Sequence, residues 1–174
     1  MRCNKLRQLH PSVGPGNWAQ LTAWPLPGPG KRVTLTRMQG VLANLFQHAA
    51  ITAGVTVRVA VNYMPDQSRA EARRWFWVYH IRIENHRDDT IRLHTRHWRI
   101  TDSRGMVNLV DGEGVVGETP VLASGQTHDY VSGCELMTNH GSMEGHYTFA
   151  REDGSLFEVA IPFFPLAAPA RTES

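Results

Sequence analysis

The stretch Trp75–Asn85 of this 174-residue chain reads WFWVYHIRIEN, and its side chains alternate with a period of two. Its odd-numbered residues are bulky and apolar up to Ile83, whereas its even-numbered residues turn polar from His80 onward. Such alternation is typical of a β-strand that buries one face and leaves the other face to solvent. Because the turn-forming run Asn85–Asp89 follows, we predict a strand that ends there.

The same period of two extends on both sides of this strand. One segment precedes it, VTVRVAVNYMP (55–65), and six follow it: TIRLHTRHWRITD (90–102), MVNLVDGEGVVG (106–117), TPVLAS (119–124), QTHDYVSGCEL (126–136), MEGHYTFARED (143–153) and SLFEVAIPFFPL (155–166). Turn-forming residues such as Asp102–Gly105 and Asp153–Gly154 separate the segments. Seven or eight antiparallel strands in about 115 residues predict an all-β sandwich with one core between two sheets.

The segment 90–102 contributes a large aromatic side chain to that core. Trp98 and Ile100 are two residues apart, so on a strand they share one face. We predict that Trp98 is substantially buried. In the aromatic run that begins at Trp75, core packing is the expected role for most members, with Phe76 pointing outward or into a groove.

The first 50 residues do not follow this pattern. Residues 1–37 are rich in proline and glycine and are predicted to form a disordered leader. Residues 38–50, MQGVLANLFQHAA, place four apolar side chains on one helical face, which predicts a short helix. The predicted domains are therefore a leader over 1–50, a sandwich over 51–168 and a tail over 169–174. Met38 is an alternative start, in which case residues 1–37 do not belong to the natural protein.

Charge is unevenly distributed along the chain. The net charge is +2, but residues 1–65 hold seven basic residues and no acidic one, which leaves −5 for the remainder. The basic residues are too dispersed to predict a nucleic-acid partner. No apolar run is long enough to predict a membrane span, and two cysteines, Cys3 and Cys134, make no disulfide framework. We predict a cytoplasmic protein with no membrane partner.

One short motif has the form of a phosphate-binding loop. Gly112–Gly117, GEGVVG, matches G-x-G-x-x-G, whose glycines let the backbone approach a pyrophosphate at a helix N-terminus. No helix is predicted after it, because Val115 and Val116 are β-branched and Pro120 follows. We interpret the motif as a bulged or sharply bent strand. The alternative is a concavity in which Gly112, Gly114 and Gly117 hold an anion.

No other pattern predicts catalysis or metal binding. Nine histidines occur, but their spacings match no metal-ligand signature. Cys134 lies at a strand end with no base assigned to it, and Ser132 lacks a G-x-S-x-G elbow. The carboxylates lie mostly at turns, and no pair stands out as acid and base. We predict no catalytic residue, no metal site and no cofactor, and hence a protein that is not an enzyme.

The strand segments also carry a specific resemblance. His97–Asp102 (HWRITD), Gly112–Leu122 (GEGVVGETPVL), Tyr130–Cys134 (YVSGC), Gly141–Tyr147 (GSMEGHY) and Phe157–Phe164 (FEVAIPFF) resemble, in order and spacing, the conserved blocks of the ApaG family, also called the DUF525 domain. The resemblance covers about residues 51–167. The long leader and Asn139-His140, where the family often has a proline, depart from the pattern.

The resemblance implies an immunoglobulin- or fibronectin-III-like sandwich. It also implies protein interaction, because the domain is fused in eukaryotic proteins that include an F-box protein and a DNA-polymerase-delta-interacting protein. Bacterial members are associated with magnesium and cobalt handling, and the family's glycine motif has been read as pyrophosphate-binding. We predict a non-catalytic module that binds an unidentified protein, with a homodimer as one form of that partnership. The alternative is a phosphate-, nucleotide- or divalent-cation-responsive protein linked to magnesium and cobalt homeostasis.

Overall fold

A computed structural model describes residues 45–169, and this part of the chain forms two antiparallel β-sheets packed face to face. The strands are β1 (His48–Thr52), β2 (Val55–Tyr63), β3 (Trp75–Asn85), β4 (Ile91–Asp102), β5 (Val107–Glu113), β6 (Val121–Leu122), β7 (Thr127–Leu136), β8 (His140–Arg151) and β9 (Leu156–Ala167). Two single-turn 3-10 helices, Pro65–Gln67 and Ala70–Ala72, connect β2 to β3. The all-β sandwich predicted from the alternation is confirmed.

The strand order places sequence neighbours beside one another in most positions. The first sheet has the order β1-β2-β3-β7, and the second has the order β5-β4-β8-β9, with the short β6 paired to the start of β4. Each long strand turns alternate side chains into the space between the sheets, which is why the period of two is visible in the sequence. The β3 strand pairs with β2 on one side and with β7 on the other, so it lies inside the first sheet.

Trp98 lies at the centre of the core. Only 1% of its surface is exposed, and its ring contacts Tyr79 of the first sheet and Phe164 of β9 at centroid distances of 5.7 and 6.0 Å. Ile100 is buried on the same face. The predicted burial of Trp98 is confirmed, and its ring packs one sheet against the other.

The N-terminal segment differs from its prediction. Residues 48–50 belong to β1, which pairs with β2, so the part of the predicted helix over these residues is wrong. Phe46 packs on His80 of the first sheet at a ring-centroid distance of 5.0 Å, although its segment is not helical over 46–50. The apolar spacing that suggested a helical face therefore includes a side chain that packs on the sheet from a non-helical segment. The strand begins three residues before the predicted start of the sandwich at residue 51. The predicted leader over 1–37 lies outside the described residues.

The two long sides of the sandwich differ. On one side β1 lies against β9, where the Ala160 N–H donates to Thr52 Oγ1 at 3.2 Å and the His48 ring lies 6.1 Å from that of Phe164. On the other side the outermost strands are β5 and β7, and in residues 45–169 no hydrogen bond joins them. We call these the closed side and the open side. Within the described range, no helix has the length and apolar character of a transmembrane segment.

Deletion of residues 1–37 is expected to change the melting temperature by only a few degrees. The described strands and their core come from residues 45–169, so the truncated chain keeps every core contact that these residues make with one another. Differential scanning calorimetry of the truncated and full-length chains checks this. A truncated chain that fails to unfold cooperatively would show that the leader forms part of the core.

Candidate functional site

The GEGVVG segment lies on the open side, where β5 ends. Gly112 is still in β5, and after Glu113 the chain reverses in a tight loop in which Val115 and Glu118 exchange backbone hydrogen bonds of 2.8 and 2.9 Å. The φ angles of Gly114 and Gly117 are +55° and +80°, values that favour glycine. The prediction of a sharply bent strand is confirmed. We call residues 112–118 the glycine loop.

The glycine loop also contains a strained residue. Val116 has φ of +49°, and a β-branched side chain rarely adopts this left-handed conformation. Val115, next to it, is buried in the core, while Val116 packs partly against the core edge. These two side chains hold the loop against the sandwich. Backbone strain of this kind persists only where the surrounding structure enforces it.

Most amides of the glycine loop already have partners within the chain. The Gly114 N–H donates to the His94 carbonyl at 2.9 Å, and those of Val115 and Glu118 bond within the loop. An anion cradle needs consecutive amides that point into one space. In the described structure the neighbouring amides of Val116 and Gly117 make no hydrogen bond to protein. Among the described residues of the glycine loop, Val116 and Gly117 are therefore the only consecutive amides that are available to an anion.

A single arginine holds the loop from beneath. Arg96 Nη1 donates to the carbonyl oxygens of Glu113 and Gly114 at 2.9 and 2.7 Å. A Cβ at Gly112 would lie only 2.8 Å from Arg96 Cζ, so the guanidinium rests on that glycine. The glycine loop therefore presents carbonyl oxygens, and not amide N–H groups, to the Arg96 guanidinium. By contrast, Arg99, which is close in sequence, pairs with Glu144 across the sheet at 2.7 Å.

A narrow cavity lies below the loop between the two sheets. It has a volume of about 20 Å³, which is room for one water molecule. It is lined by Tyr79, Arg96, Trp98, Val115, Val116, Tyr130 and Ser132. The Tyr130 hydroxyl bonds to that of Tyr147, and burial raises the pKa of Tyr79, Tyr130 and Tyr147 above the ordinary tyrosine value. These hydroxyls are therefore neutral at physiological pH.

The histidines and the cysteine are placed as follows. His97 and His146 stack at a ring-centroid distance of 4.9 Å on the outer face of the second sheet, and Asp111 lies 2.6 Å from His97 Nδ1. Sequence spacing missed this pair, since only the β4–β8 register places the two residues opposite each other. Within residues 45–169 no three His, Cys, Asp or Glu side chains are arranged to hold a metal ion. Cys134 is a buried core residue.

Comparison with known proteins identifies the family. The model of the ApaG domain (DUF525) matches residues 65–151, which is half of the chain. The chain belongs to the ApaG family. Protein ApaG of Rhodopseudomonas palustris (strain TIE-1) is 46% identical over 122 residues, which are 70% of this chain and 94% of the relative. Protein ApaG of Rhodospirillum centenum is 45% identical with the same coverage.

A solved structure extends the comparison to three dimensions. The crystal structure of a Bordetella pertussis protein described as ApaA is 42% identical to this chain, with a TM-score of 0.64. The aligned region covers 67% of this chain and 95% of the Bordetella pertussis protein. The resemblance to the ApaG family drawn from the sequence blocks is therefore confirmed. The names of the ApaG relatives state no activity or ligand.

Proposed function

We propose that this ApaG-family chain is a non-catalytic binding module whose protein partner docks on the exposed edge of β5 and the adjoining outer face of the second sheet. The observation that carries the proposal is the exposure of apolar side chains there. On β5 itself, Leu109 is 57% exposed and Val107 is 43% exposed. Exposed apolar side chains beside an unpaired strand are typical of a protein-binding surface.

The edge of β5 has hydrogen-bonding groups available. The Met106 carbonyl accepts from the Asp102 N–H at 3.0 Å, and the Gly114 N–H donates to His94 at 2.9 Å, so the even-numbered residues of this strand face β4. In an antiparallel strand the backbone groups alternate in direction. The N–H and C=O groups of Val107, Leu109 and Asp111 therefore point away from β4. They form a row that can accept an additional strand.

The outer face of the first sheet is covered by the chain's own aromatic rings. Phe46 is 6% exposed and packs on His80 and under the Arg82 guanidinium, which lies 5.5 Å from the ring centroid. Phe76 is also 6% exposed, and a Cβ at Gly133 would lie 2.4 Å from its ring. The aromatic rings on the first sheet are buried, whereas Leu109 at the edge of the second sheet is exposed. This difference favours the second sheet as the docking face. Phe76 points outward as predicted, but it is buried against the sheet.

The other strand of the open side is protected by charge. The β7 strand carries Asp129, bonded to His80 at 2.7 Å and to Arg82 at 3.0 Å, and Glu135, bonded to Arg74 at 2.7 Å. Charged side chains along an edge oppose the addition of another strand. The first half of β5, residues 107–110, carries no charged side chain. The strand at the open side that suits a partner is therefore β5.

A lysine at Leu109 tests the proposal. Leu109→Lys is expected to lower the affinity for a captured protein partner at least tenfold, because a desolvated charge at the centre of a small interface costs more than about 1.4 kcal/mol. The control is Ile51→Lys, which places the same charge at a residue 76% exposed on the closed side. Affinity capture with the full chain, quantified by mass spectrometry and followed by titration of the captured protein, provides the measurement. Equal capture by both variants would contradict the proposal.

A second candidate function is a response to phosphate, nucleotide or divalent cations, linked to magnesium and cobalt homeostasis. The unbonded amides of Val116 and Gly117 support it. Three carboxylates, those of Asp111, Glu113 and Glu118, surround the loop and oppose an anion unless a cation intervenes. The candidate therefore requires a bridging Mg²⁺ or Co²⁺.

Metal-free nucleotide is expected not to bind at micromolar concentrations. The carboxylates repel it, the amides of Gly114 and Val115 are occupied, and Arg96 already bonds to two loop carbonyls. Calorimetric titration of ATP in EDTA checks this, with a parallel titration in Mg²⁺. Saturable binding in EDTA that is lost in a folded Gly117→Ala variant would contradict the expectation.

A further inference from the structure

Arg96 differs from the other half-buried arginines in having no acidic partner. Within residues 45–169 the half-buried arginines that make ion pairs with Asp or Glu are Arg58, Arg82, Arg87 and Arg151. Arg96 is half-buried as well, but its partners in this range are backbone carbonyls. A charge taken out of water is costly unless an opposite charge compensates it. The described residues supply no such counter-ion to Arg96.

Part of the Arg96 guanidinium is still available for bonding. A guanidinium has five N–H groups, of which Nη1 carries two. Nη1 bonds to the Glu113 and Gly114 carbonyls at 2.9 and 2.7 Å, which accounts for both. The N–H groups on Nε and Nη2 have no acceptor in the described part of the chain. Because Arg96 lines the narrow cavity below the glycine loop, an acceptor in that cavity is within their reach.

The opposite wall of this cavity carries hydroxyl groups. Tyr79, Tyr130 and Ser132 line it from the first sheet, whereas Arg96 lines it from the second. The hydroxyls of Tyr130 and Tyr147 bond to each other, and either can be the donor, so the Tyr130 hydrogen is available to the cavity when Tyr147 donates. Burial raises the pKa of Tyr130, and the positive charge of Arg96 opposes that rise, as expected for a guanidinium close to the hydroxyl. The cavity therefore combines one cation with neutral donors.

The size of the cavity selects the anion that these donors can hold. A volume of about 20 Å³ admits one species of about the size of a water molecule. Chloride is a single atom slightly larger than water, whereas phosphate and carboxylate ligands are polyatomic. We propose that one chloride ion binds in this cavity, held by the N–H groups of Arg96 and the hydroxyls of Tyr130 and Ser132.

The carboxylates around the glycine loop do not oppose this ion. Asp111 and Glu113 are exposed and belong to the odd-numbered residues of β5, which alternate with residues that face the interior. Their side chains therefore lie on the outer face of the second sheet, and Arg96 lies on the inner face beside Gly112. Glu118 is exposed too. Solvent and salt screen these outer charges, whereas the attraction between Arg96 and an ion in the cavity acts at short range in a less polar medium.

The chloride site is separate from the surface of the proposed function. The ion would lie between the sheets, whereas the β5 groups available to a partner, such as those of Leu109, point away from β4. The same guanidinium that holds the ion also holds two carbonyls of the glycine loop. Chloride is therefore expected to stabilise the loop, with no need for a partner protein.

Chloride NMR of the purified full chain tests the proposal. The chloride line broadens in proportion to the fraction of the ion that is bound to protein. At constant ionic strength, balanced with gluconate, we expect broadening that saturates with protein-bound chloride. Bromide is expected to reverse it by competition, and phosphate is expected to leave it unchanged because phosphate is too large for the cavity.

Two arginine variants show where the ion binds. Arg96→Gln is expected to reduce the excess line width at least tenfold, because it removes the charge that balances the ion. The matched control is Arg99→Gln, which removes the same charge from the same strand at an exposed residue that pairs with Glu144. This control is expected to keep the broadening. Equal broadening by a folded Arg96→Gln variant and by Arg99→Gln would overturn the proposal.

A tyrosine variant decides the question if circular dichroism shows that Arg96→Gln does not fold. Tyr130→Phe keeps Arg96 and the aromatic ring but removes one donor, so the affinity for chloride is expected to fall about tenfold, as the loss of a hydrogen bond to a charged group implies. Tyr63→Phe, at a residue that does not line the cavity, is its control. Unchanged affinity in Tyr130→Phe, displacement by phosphate as effective as that by bromide, or no saturable broadening, which would mean that the cavity holds water only, would each overturn the proposal.

Discussion

Trp98→Ala is expected to destabilise the domain by roughly 3–5 kcal/mol, the usual cost of removing a large aromatic side chain from a packed core. The indole touches Tyr79 across the core and Phe164 in its own sheet, so its loss opens a cavity that both sheets line. Urea denaturation followed by far-ultraviolet circular dichroism measures the loss. The midpoint is expected to fall without a change in the slope of the transition.

Two further variants make this result specific. Trp75→Ala removes a tryptophan that is only partly buried at the edge of the core and is expected to cost clearly less. If Trp98→Ala does not fold, Trp98→Phe keeps a ring in place and reports the same contact with a smaller loss. A Trp98→Ala transition that overlays that of the natural chain would show that the ring is not needed to hold the sheets together.

Gly114→Ala is expected to cost roughly 2–5 kcal/mol, well above an ordinary glycine-to-alanine change. The new Cβ would lie 2.0 Å from the Glu118 carbonyl oxygen, and the φ angle of +55° is unfavourable for alanine. The obstacle is backbone, which cannot rotate away as a flexible side chain can. The loop must therefore open, and the contact between Arg96 and the Gly114 carbonyl weakens with it.

Gly117→Ala is the matched control. This residue has φ of +80°, but no atom lies within 4 Å of the position of its added Cβ. Only the conformational penalty applies, so the expected cost is about 1–2 kcal/mol. Thermal unfolding of both variants with and without phosphate separates a structural role from a binding role. Equal losses for the two variants would show that the Glu118 contact does not limit the loop.

The strands and the core were predictable because they depend on local alternation. Trp98 and Ile100 are two residues apart in a long alternating segment, and this spacing alone places both on one face. The bend at the glycine loop was equally accessible, because Val115, Val116 and Pro120 exclude the helix that a dinucleotide-binding loop requires. In each case the informative residues are neighbours in the chain.

What the sequence did not predict depends on which strands are paired. Arg96 holds the loop because it faces the interior from β4 next to Gly112 of β5, and the register of these strands is a property of the folded sheet. The stacked histidines, His97 and His146, are 49 residues apart and meet only through the β4–β8 register. The β1 strand was missed because five residues give too short a pattern to distinguish strand from helix.

The difference between the closed and open sides predicts a gradient of amide hydrogen exchange across the domain. Amides of β2, which lies inside the first sheet and also contacts β9, are expected to exchange only through global unfolding. Amides of β5 that bond to β4 need only the release of one outer strand, so they exchange through a local opening of lower free energy. The amides of Val107 and Leu109 report the edge itself, since any strand added to β5 protects them residue by residue.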